Sequence, residues 1–250
     1  MIDEKIDFTG KTAIITGAAS GMGELTSREM ALRGGAIVLA DINLERAEAI
    51  AQEIRAAGGK AIAVKTDVRS FDDIQAAVDT AVSEFGSADI TVSFAGGEPA
   101  RMLNGPHDFV EQPVDLIDWG LQVNGRAPLY MARAVLPQMM KQKSGVIINI
   151  CSVTGLEPTT TIVYSTAKSA LVGLTRSVAT YGAPYGIRCC GVAPGPVLTR
   201  AAMAKMQTAL GRAAEPEEIV ELVMFLASDK GSFITGTTYL ADCGRMVRRK

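Results

Sequence analysis

Tyr164 and Lys168 stand four residues apart within a stretch of helical periodicity, and Ser152 lies twelve residues before the tyrosine, at the end of an apolar run. Residues four apart on a helix lie on the same face. A free phenol has a pKa near ~10, so it needs a neighbouring cation before it can act as a base near neutral pH. Because the lysine supplies that cation and the serine hydroxyl can bind a substrate oxygen, these three residues predict a centre for proton transfer.

A glycine turn lies far upstream, with Gly17, Gly21 and Gly23 between a predicted strand and a predicted helix. Glycines allow a tight turn and a close approach of the backbone to a pyrophosphate, and the helix N-terminus favours the anion. Such a turn is a weak sign by itself, since glycines end many strands. Together with the proton-transfer centre, it predicts hydride exchange between a nucleotide cofactor and an alcohol or a ketone.

Asp41 ends the next predicted strand. Its carboxylate can bind the ribose hydroxyls of adenosine and would repel the 2′-phosphate of NADP. The turn, with Ser20, offers no arginine to attract that phosphate. The cofactor is therefore predicted to be NAD(H). The same aspartate can also cap the helix that follows, and the two roles are compatible.

Short apolar runs alternate with segments of helical periodicity along the chain. Strands are predicted over residues 11–16, 36–40, 61–65, 90–94, 146–151, 188–192 and 238–241, and helices over residues 24–33, 44–57, 74–85, 116–140, 163–181 and 216–227. This alternation predicts an α/β fold: a single doubly wound Rossmann-type domain over residues 1–250, with a parallel sheet and helices on both faces. Pro128 and Pro137 fall near or within the longest helix, so a bend or break is expected there.

Composition narrows the classes of partner. The net charge is −2 and the chain has no long basic run, which argues against nucleic acid. No apolar run reaches the ~18 residues of a membrane helix, and the charged residues 1–5 do not resemble a signal peptide. The four cysteines have no metal-ligand spacing, and two are adjacent, which suits free thiols. We therefore expect a cytoplasmic protein without a metal site and without a membrane or nucleic-acid partner.

The chain resembles the short-chain dehydrogenase/reductase family, in its single-domain branch, over residues 11–244. The resemblance is carried by residues 16–23, 67–68, 95–96, 123–124, 148–152, 164–168, 192–195 and 215–219. It implies that Tyr164 is the general acid/base, that Lys168 lowers the pKa of the phenol and holds the nicotinamide ribose, and that Ser152 binds the substrate oxygen. It also implies that Asn124 holds a water in a proton relay.

The resemblance further implies which residues contact the cofactor. They are Gly17, Ser20, Gly21, Met22, Gly23, Asp41, Asp67, Val68, Ala95, Gly96, Tyr164, Lys168, Pro194, Gly195, Val197 and Thr199. Among them, Asp67 is expected at the adenine and Thr199 at the nicotinamide carboxamide.

Four features depart from the family pattern. Ser93 stands where the family usually has an asparagine, and we expect it to replace a structural hydrogen bond. Cys190 also replaces a frequent asparagine, and Cys243 interrupts a usual Asp-Gly-Gly. The substrate lid, roughly residues 199–214, is short, which suggests an open or differently closed pocket.

The substrate is expected to meet the loops after the fourth and fifth strands and the lid. These segments offer Glu98, Arg101, His107, Glu157, Thr159, Thr160, Arg200, Met203 and Met206. Their polarity favours a hydroxylated or anionic secondary alcohol, such as a polyol or sugar, although polar loop residues are often merely solvated. His107, the one histidine, is interpreted as structural or exposed.

Other functions stay open. A hydroxysteroid dehydrogenase and a 3-oxoacyl reductase fit the same chemistry, and Asp41 weighs against the second because such reductases usually take NADPH. A non-catalytic nucleotide-binding protein is the alternative from another class. The intact set of Asn124, Ser152, Tyr164 and Lys168 argues against that alternative.

The resemblance also implies a symmetric homo-oligomer, a tetramer or less readily a dimer, formed through the two long helices. The apolar residues of these helices exceed one core-facing stripe; they are Leu129, Met131, Ala132, Val135, Leu171, Leu174 and Val178. The basic tail, residues 245–250, is interpreted as a solvated end, or as a contact with a neighbouring subunit's pocket.

Overall fold

Seven parallel strands form one sheet in the order β3-β2-β1-β4-β5-β6-β7. The structure, a computed structural model, describes residues 6–247. The strands are β1 (Thr12–Thr16), β2 (Ala36–Asp41), β3 (Lys60–Lys65), β4 (Ile90–Ser93), β5 (Gly145–Ile150), β6 (Ile187–Pro194) and β7 (Thr238–Ala241). The order of the strands reverses between β1 and β4, so the loops that leave these two strands diverge and open a crevice at the carboxyl edge. The predicted fold class is confirmed.

Helices cover both faces of the sheet. They are α1 (Gly21–Leu32), α2 (Leu44–Ala56), α3 (Phe71–Phe85), α4 (Pro99–Met102), α5 (Val114–Leu121), α6 (Ala127–Gln142), α7 (Ile162–Gly182) and α8 (Pro216–Ala227). Local sequence explains several of their ends. Asn43 and Ser70 cap α2 and α3 with their side chains, and Gly86 ends α3 in the left-handed conformation at φ 85°.

Two apolar layers hold the sheet between the helices. Successive strand residues point to opposite faces, so Ile14 packs with Ile74 and Val135 on one face, whereas Ile15 packs with Met30 on the other. Helices α1, α2 and α8 contribute to the second layer, and α3, α6 and α7 to the first. The sheet is therefore buried on both sides, and its carboxyl edge is left for the crevice.

The predicted helix over residues 116–140 is three pieces. A π-helical segment, Gln122–Arg126, separates α5 from α6. The irregularity does not lie at the prolines: Pro128 stands in the first turn of α6, where a missing amide hydrogen is tolerated, and α6 continues through Pro137. Segments of this kind occur frequently at functional sites.

The apolar surplus of the two long helices is explained within one chain. Met131, Ala132, Val135, Leu171 and Val178 are buried in the chain's own core, and Leu174 packs against it. Leu129 alone of the seven residues is half exposed. The composition therefore gives no separate argument for a subunit interface, because the chain's own core accounts for six of the seven residues, and the homo-oligomer stays a prediction.

Candidate active site

The glycine turn after β1 packs backbone against backbone. A Cβ on Gly17 would lie 2.7 Å from the amide nitrogen of Ala95, and one on Gly23 would lie 2.2 Å from the carbonyl oxygen of Gly17. Gly17 also has φ +68°, a conformation that glycine adopts without strain. The amides at the start of α1 therefore border the crevice with no side chain above them, as an anion site requires.

Asp41 fixes this turn with both of its carboxylate oxygens. Oδ2 accepts a hydrogen bond from the amide of Ala19 at 2.9 Å, and Oδ1 accepts one from the amide of Asn43 at 2.9 Å. The cap of α2 is Asn43, whose side chain accepts from the amide of Arg46. Asp41 thus does not cap that helix itself, and its carboxylate is held at the wall of the crevice.

Asp67 lies on the next loop and forms an ion pair with Arg69, with Nε 2.9 Å from Oδ1. The hydrogen bonds from the Arg69 side chain lower the pKa of the Asp67 carboxyl below its usual value. Its amide donates to Asp73 at 2.9 Å, which ties the loop to the first turn of α3. This end of the crevice therefore holds two carboxylates, of Asp41 and Asp67, and one guanidinium, of Arg69.

One cleft of about 570 Å³ runs along these loops. Eleven of the sixteen predicted cofactor contacts line it: Gly17, Ser20, Gly21, Met22, Gly23, Asp41, Asp67, Val68, Ala95, Gly96 and Thr199. The other five, Tyr164, Lys168, Pro194, Gly195 and Val197, are not among its lining residues. Sequence reasoning missed Arg69, Met102 and Trp119 in the lining. Arg69 could have been found, since it follows Asp67 by two residues.

The segment after β6 forms the side of the cleft that faces the glycine turn. Gly195 packs so closely on Asp242 that a Cβ would lie 2.7 Å from the Asp242 Cα. Val197 pairs with Ala214, which closes the base of the predicted lid, and the lid itself carries a short 3₁₀ helix, Ala201–Lys205. The methyl group of Thr199 would lie 3.9 Å from a Cβ on Gly21, so the two sides meet across the cleft.

Ser152, Tyr164 and Lys168 are brought together, as the sequence predicts. The Lys168 ammonium lies 5.7 Å from the centre of the Tyr164 ring, and the Ser152 hydroxyl interacts with the phenol. Ser152 Oγ also accepts from the amide of Thr154 at 3.1 Å. The Ser165 hydroxyl donates to the Thr154 carbonyl at 2.9 Å, which ties the start of α7 to the end of β5. The serine and the tyrosine are therefore held by one local network.

The pKa of the phenol moves opposite to the direction predicted from the sequence. Burial raises the pKa of Tyr164 above its ordinary value, and the contact with Ser152 and the charges of Arg200 and Arg101 oppose that rise only in part. Burial also lowers the pKa of Lys168 to about 8. The ammonium donates to the Ile150 carbonyl oxygen at 2.7 Å. The charges that lower the phenol pKa here are thus those of the two arginines.

Asn124 lies in the π-helical segment and is fully buried. Its side-chain amide donates to the carbonyl oxygens of Gly97 and Gly120, both at 2.9 Å, and its Oδ1 accepts from the amide of Gly97 at 2.8 Å. A Cβ on Gly96 would lie 2.6 Å from that Oδ1 and 3.6 Å from the Lys168 nitrogen. Asn124 therefore joins the loop after β4 to α5 beside Lys168, and its part in a water relay stays a prediction.

Ser93 does not replace a structural hydrogen bond, because its buried hydroxyl has no partner among the described residues. Cys190 does find one, and its thiol donates to the Ile234 carbonyl oxygen at 3.4 Å. Cys243 adopts a left-handed conformation at φ 52° and is followed by Gly244, so the chain turns sharply there. All four cysteines are free thiols.

Of the nine residues proposed to meet the substrate, Arg101 and Arg200 line the cleft. Glu157 forms an ion pair with Arg245, with Nη2 2.8 Å from Oε1, and both side chains are largely buried. This contact ties residue 245 of the basic tail to the chain's own loop; residues 248–250 lie outside the described residues. His107 is exposed and does not line the cleft, which agrees with the interpretation from the sequence.

The residues at the crevice fit a dinucleotide. The glycine turn leaves room for a pyrophosphate, Asp41 presents a fixed carboxylate to a ribose, and the cleft ends beside a hydroxyl, a phenol and an ammonium.

Within residues 6–247 no cluster of three or more metal-ligating side chains occurs. In the same part of the chain no helix is both long enough and apolar enough to span a membrane.

Comparisons with known proteins show the family of this chain. The model of the short chain dehydrogenase family matches residues 11–210. A cis-4-hydroxycyclohexanecarboxylate dehydrogenase of Sinomonas cyclohexanicum is 37% identical, with 95% of this chain and 97% of that protein covered. A cyclohexanol dehydrogenase of an Acinetobacter species is 36% identical, with 94% of each covered. A solved 7α-hydroxysteroid dehydrogenase, in complex with NADH and 7-oxo-glycochenodeoxycholic acid, has a TM-score of 0.88 at 29% identity over 98% of both chains.

The chain therefore belongs to the short-chain dehydrogenase/reductase family. Its reaction is the interconversion of an alcohol and a ketone with a nicotinamide cofactor.

Proposed function

We propose that this protein is an NAD(H)-dependent dehydrogenase of a secondary alcohol carried on a saturated ring. The observation that carries the proposal is the placement of Ser152, Tyr164 and Lys168 together beside a cleft whose wall holds Asp41. A nicotinamide dinucleotide bound in the cleft supplies or accepts the hydride. Ser152 binds the substrate oxygen, and Tyr164 removes or returns the proton at that oxygen. Lys168, with Asn124 behind it, holds a positive charge beside the phenol.

Charge at the adenosine end of the cleft supports NAD(H) over NADP(H). Asp41 and Asp67 bring two negative charges, and Arg69 brings one positive charge that is already paired with Asp67. A 2′-phosphate placed there would meet an uncompensated carboxylate at Asp41. Arg46, the nearest cation along the chain, is bound to Glu24 with Nη2 3.0 Å from Oε1.

Relatives support the ring alcohol. The two curated relatives described above act, by their names, on hydroxylated cyclohexanes, and the structural neighbour acts on a steroid. Met102 and Trp119 give the cleft apolar surface that a hydrocarbon ring can contact. A polyol or sugar, favoured by the sequence, is the second candidate, and the polar Arg101 and Arg200 are the observation in its favour.

A turnover panel tests the proposal. The purified protein is incubated with NAD⁺ or NADP⁺ and cyclohexanol, 4-hydroxycyclohexanecarboxylate, a hydroxysteroid, a 3-hydroxyacyl thioester or sorbitol, and the formation of NADH or NADPH is followed by absorbance. We expect NADH formation with a ring alcohol and little with sorbitol or with NADP⁺. Tyr164→Phe is the inactive control. Cofactor binding without turnover of any of these alcohols would favour the non-catalytic alternative.

Two further properties belong to this proposal. Free thiols at Cys151, Cys189, Cys190 and Cys243 suit the reducing cytoplasm. The family resemblance and the half-exposed Leu129 on α6 support a symmetric homo-oligomer. A tetramer is favoured over a dimer. Light scattering at micromolar concentration tests the assembly, and a monomer mass would contradict it.

A further inference from the structure

Two arginines converge on the proton-transfer centre from separate segments of the chain. Arg101 comes from α4, after β4, and Arg200 comes from the start of the lid. Both line the cleft, and the charges of both act on the Tyr164 phenol. The terminal nitrogen Nη2 of Arg101 would lie 3.1 Å from a Cβ on Gly97, so its guanidinium lies against the loop that holds Asn124.

Neither guanidinium forms an ion pair with any residue that the structure describes. The ion pairs among the described residues lie elsewhere, such as that of Arg212 with Glu218. Arg200 instead donates to the sulfur of Met203 at 3.5 Å, which is a weak acceptor. Partial burial lowers the pKa of the Arg200 guanidinium, and the positive charge of Arg101 lowers it further. Two like charges thus act on each other within one cleft, and neither is paired with a carboxylate among the described residues.

Glu98 is the acid whose charge acts on Arg200, and its carboxylate already accepts other hydrogen bonds. The Glu98 carboxylate acts favourably on Arg200, but its oxygens accept hydrogen bonds from the amides of Ala100 at 3.1 Å and Arg101 at 2.7 Å. It caps the first turn of α4, where a carboxylate is stabilising. Two guanidiniums against one carboxylate leave a net positive charge beside the phenol.

We propose that Arg101 and Arg200 bind a carboxylate of the substrate, so that the alcohol oxidised at Tyr164 is a ring hydroxy acid. A guanidinium presents paired donors that match the two oxygens of a carboxylate, and charge-assisted bonds of this kind are short and strong. Met102 packs against Gly97 beside Arg101, which places apolar surface for the ring next to the cation. This proposal rests on the proposed dehydrogenase function and specifies its substrate.

A pair of matched substrates tests it. The purified enzyme with NAD⁺ is assayed on 4-hydroxycyclohexanecarboxylate and on 4-hydroxycyclohexanecarboxamide, which has the same shape without the charge. We expect kcat/KM for the acid to exceed that for the amide by about 10- to 100-fold. Arg101→Gln and Arg200→Gln should each bring this ratio towards one. The ratio is used because both arginines also act on Tyr164, an effect common to the two substrates.

Arg133→Gln is the matched control, since Arg133 is exposed on α6 and does not line the cleft. It should leave the ratio unchanged. Equal kcat/KM for acid and amide in the unmodified enzyme would overturn the carboxylate proposal while leaving the dehydrogenase function intact. The proposal would also be overturned if both arginine variants kept the wild-type ratio of kcat/KM for acid and amide while their Kd for NADH rose. The arginines would then serve the cofactor diphosphate.

A binding measurement keeps the test independent of turnover. Cyclohexanecarboxylate lacks the alcohol, so its binding to the enzyme with NADH can be followed by calorimetry without reaction. We expect binding that weakens at high salt and that falls about 10-fold or more in Arg200→Gln. If none of the panel alcohols reacts, the proposed function fails, and this titration still decides whether the two arginines hold a carboxylate. No binding at millimolar ligand would overturn the inference.

Discussion

The ammonium of Lys168 donates a hydrogen bond to the main-chain oxygen of Ile150 at 2.7 Å. Lys168 is 4% exposed, and burial lowers its pKa from 10.5 to about 8. The last residue of β5 thus anchors the cation of α7 at the point where the strand ends. This link fixes the distance between the lysine and Ser152, which stands two residues after Ile150 on the same segment.

The first prediction concerns stability and pH. The pKa of Lys168 is lower in the folded protein than in the unfolded chain, so the unfolded chain binds more protons between about pH 8 and 10.5. The free energy of unfolding therefore rises with pH through this window. Between about pH 7 and about pH 10, we expect the free energy of unfolding of the wild type to rise by up to about 3 kcal/mol more than that of Lys168→Met. Urea unfolding of both proteins at the two pH values measures the gain.

The exposed Lys141→Met on α6 is the control for that measurement. Its stability should follow that of the wild type at both pH values. If the free energy of unfolding changed with pH in the same way in Lys168→Met and in the wild type, burial of the Lys168 ammonium would not destabilise the fold.

The second prediction concerns the glycine turn. A methyl group at Gly23 would lie 2.2 Å from the carbonyl oxygen of Gly17, so Gly23→Ala must push the turn apart. We expect the Kd for NADH to rise at least about 10-fold, because the amides of the turn no longer point together. Gly173→Ala is the matched control: it lies within α7 with no atom within 4 Å of the added Cβ. That variant should bind NADH normally and gain about 0.5–1 kcal/mol of stability. Normal NADH binding by Gly23→Ala would argue against a cofactor at this turn.

The third prediction separates charge from hydrogen bonding at Asp41. Asp41→Asn keeps an acceptor for the amide of Ala19 and removes the negative charge, whereas Asp41→Ala removes both. We expect the preference for NAD(H) over NADP(H) to shrink in both variants, by about 10-fold in Asp41→Asn. Calorimetric titration with the two reduced cofactors gives the ratio of Kd values. Equal affinities in the unmodified protein would contradict the assignment of this carboxylate.

The fourth prediction concerns the phenol without cofactor. Burial raises the pKa of Tyr164, and the contact with Ser152 and the Arg200 charge oppose the rise. We therefore expect the pKa of this tyrosine to lie above the ordinary value of a phenol, and Arg200→Gln to raise that pKa further. The difference in phenolate absorbance between each protein and its Tyr164→Phe derivative isolates this residue. Tyr181→Phe, which removes a phenol on a residue that is 59% exposed, is the control for the subtraction itself. A Tyr164 pKa below the ordinary value of a phenol would restore the lowered pKa expected from the sequence.

The sequence allowed the sheet and the active-site group to be predicted because both depend on local patterns. Buried parallel strands are continuous apolar runs, and helix α8 and strand β7 have the predicted bounds, Pro216–Ala227 and Thr238–Ala241. The pairing of Tyr164 with Lys168 follows from helix periodicity alone. The glycine turn with Asp41 follows from strand–turn–helix order.

What the sequence did not reveal depends on contacts between distant segments. The π-helical segment around Asn124 satisfies carbonyls of residues 97 and 120, which no periodicity indicates. The charges that act on the phenol come from Arg101 and Arg200, nearly one hundred positions apart. Desolvation reversed the direction of the phenol pKa, and burial cannot be judged from the spacing of Tyr164 and Lys168.

The fifth prediction concerns catalysis itself. If Tyr164 exchanges the proton, Tyr164→Phe should abolish turnover and leave the Kd for NADH nearly unchanged, because only the phenol oxygen is lost. Lys168→Met should damage both turnover and cofactor affinity, since the ammonium lies beside the phenol and against Gly96. Ser152→Ala should lower kcat about 10²- to 10³-fold, the effect of losing one hydrogen bond that strengthens in the transition state. Steady-state kinetics on a ring alcohol, with cofactor titrations alongside, measures all three.

The matched control for Ser152 is Ser169→Ala, whose hydroxyl donates to the Gly155 carbonyl oxygen at 2.7 Å on the exposed side of α7. It perturbs the same loop without touching the phenol, so kcat should stay close to the wild-type value. A similar loss in both serine variants would assign the effect to loop distortion and remove Ser152 from the reaction. Substantial activity in Tyr164→Phe would require another proton donor. The exposed His107 would then be the first residue to substitute, because it is the one histidine of the chain.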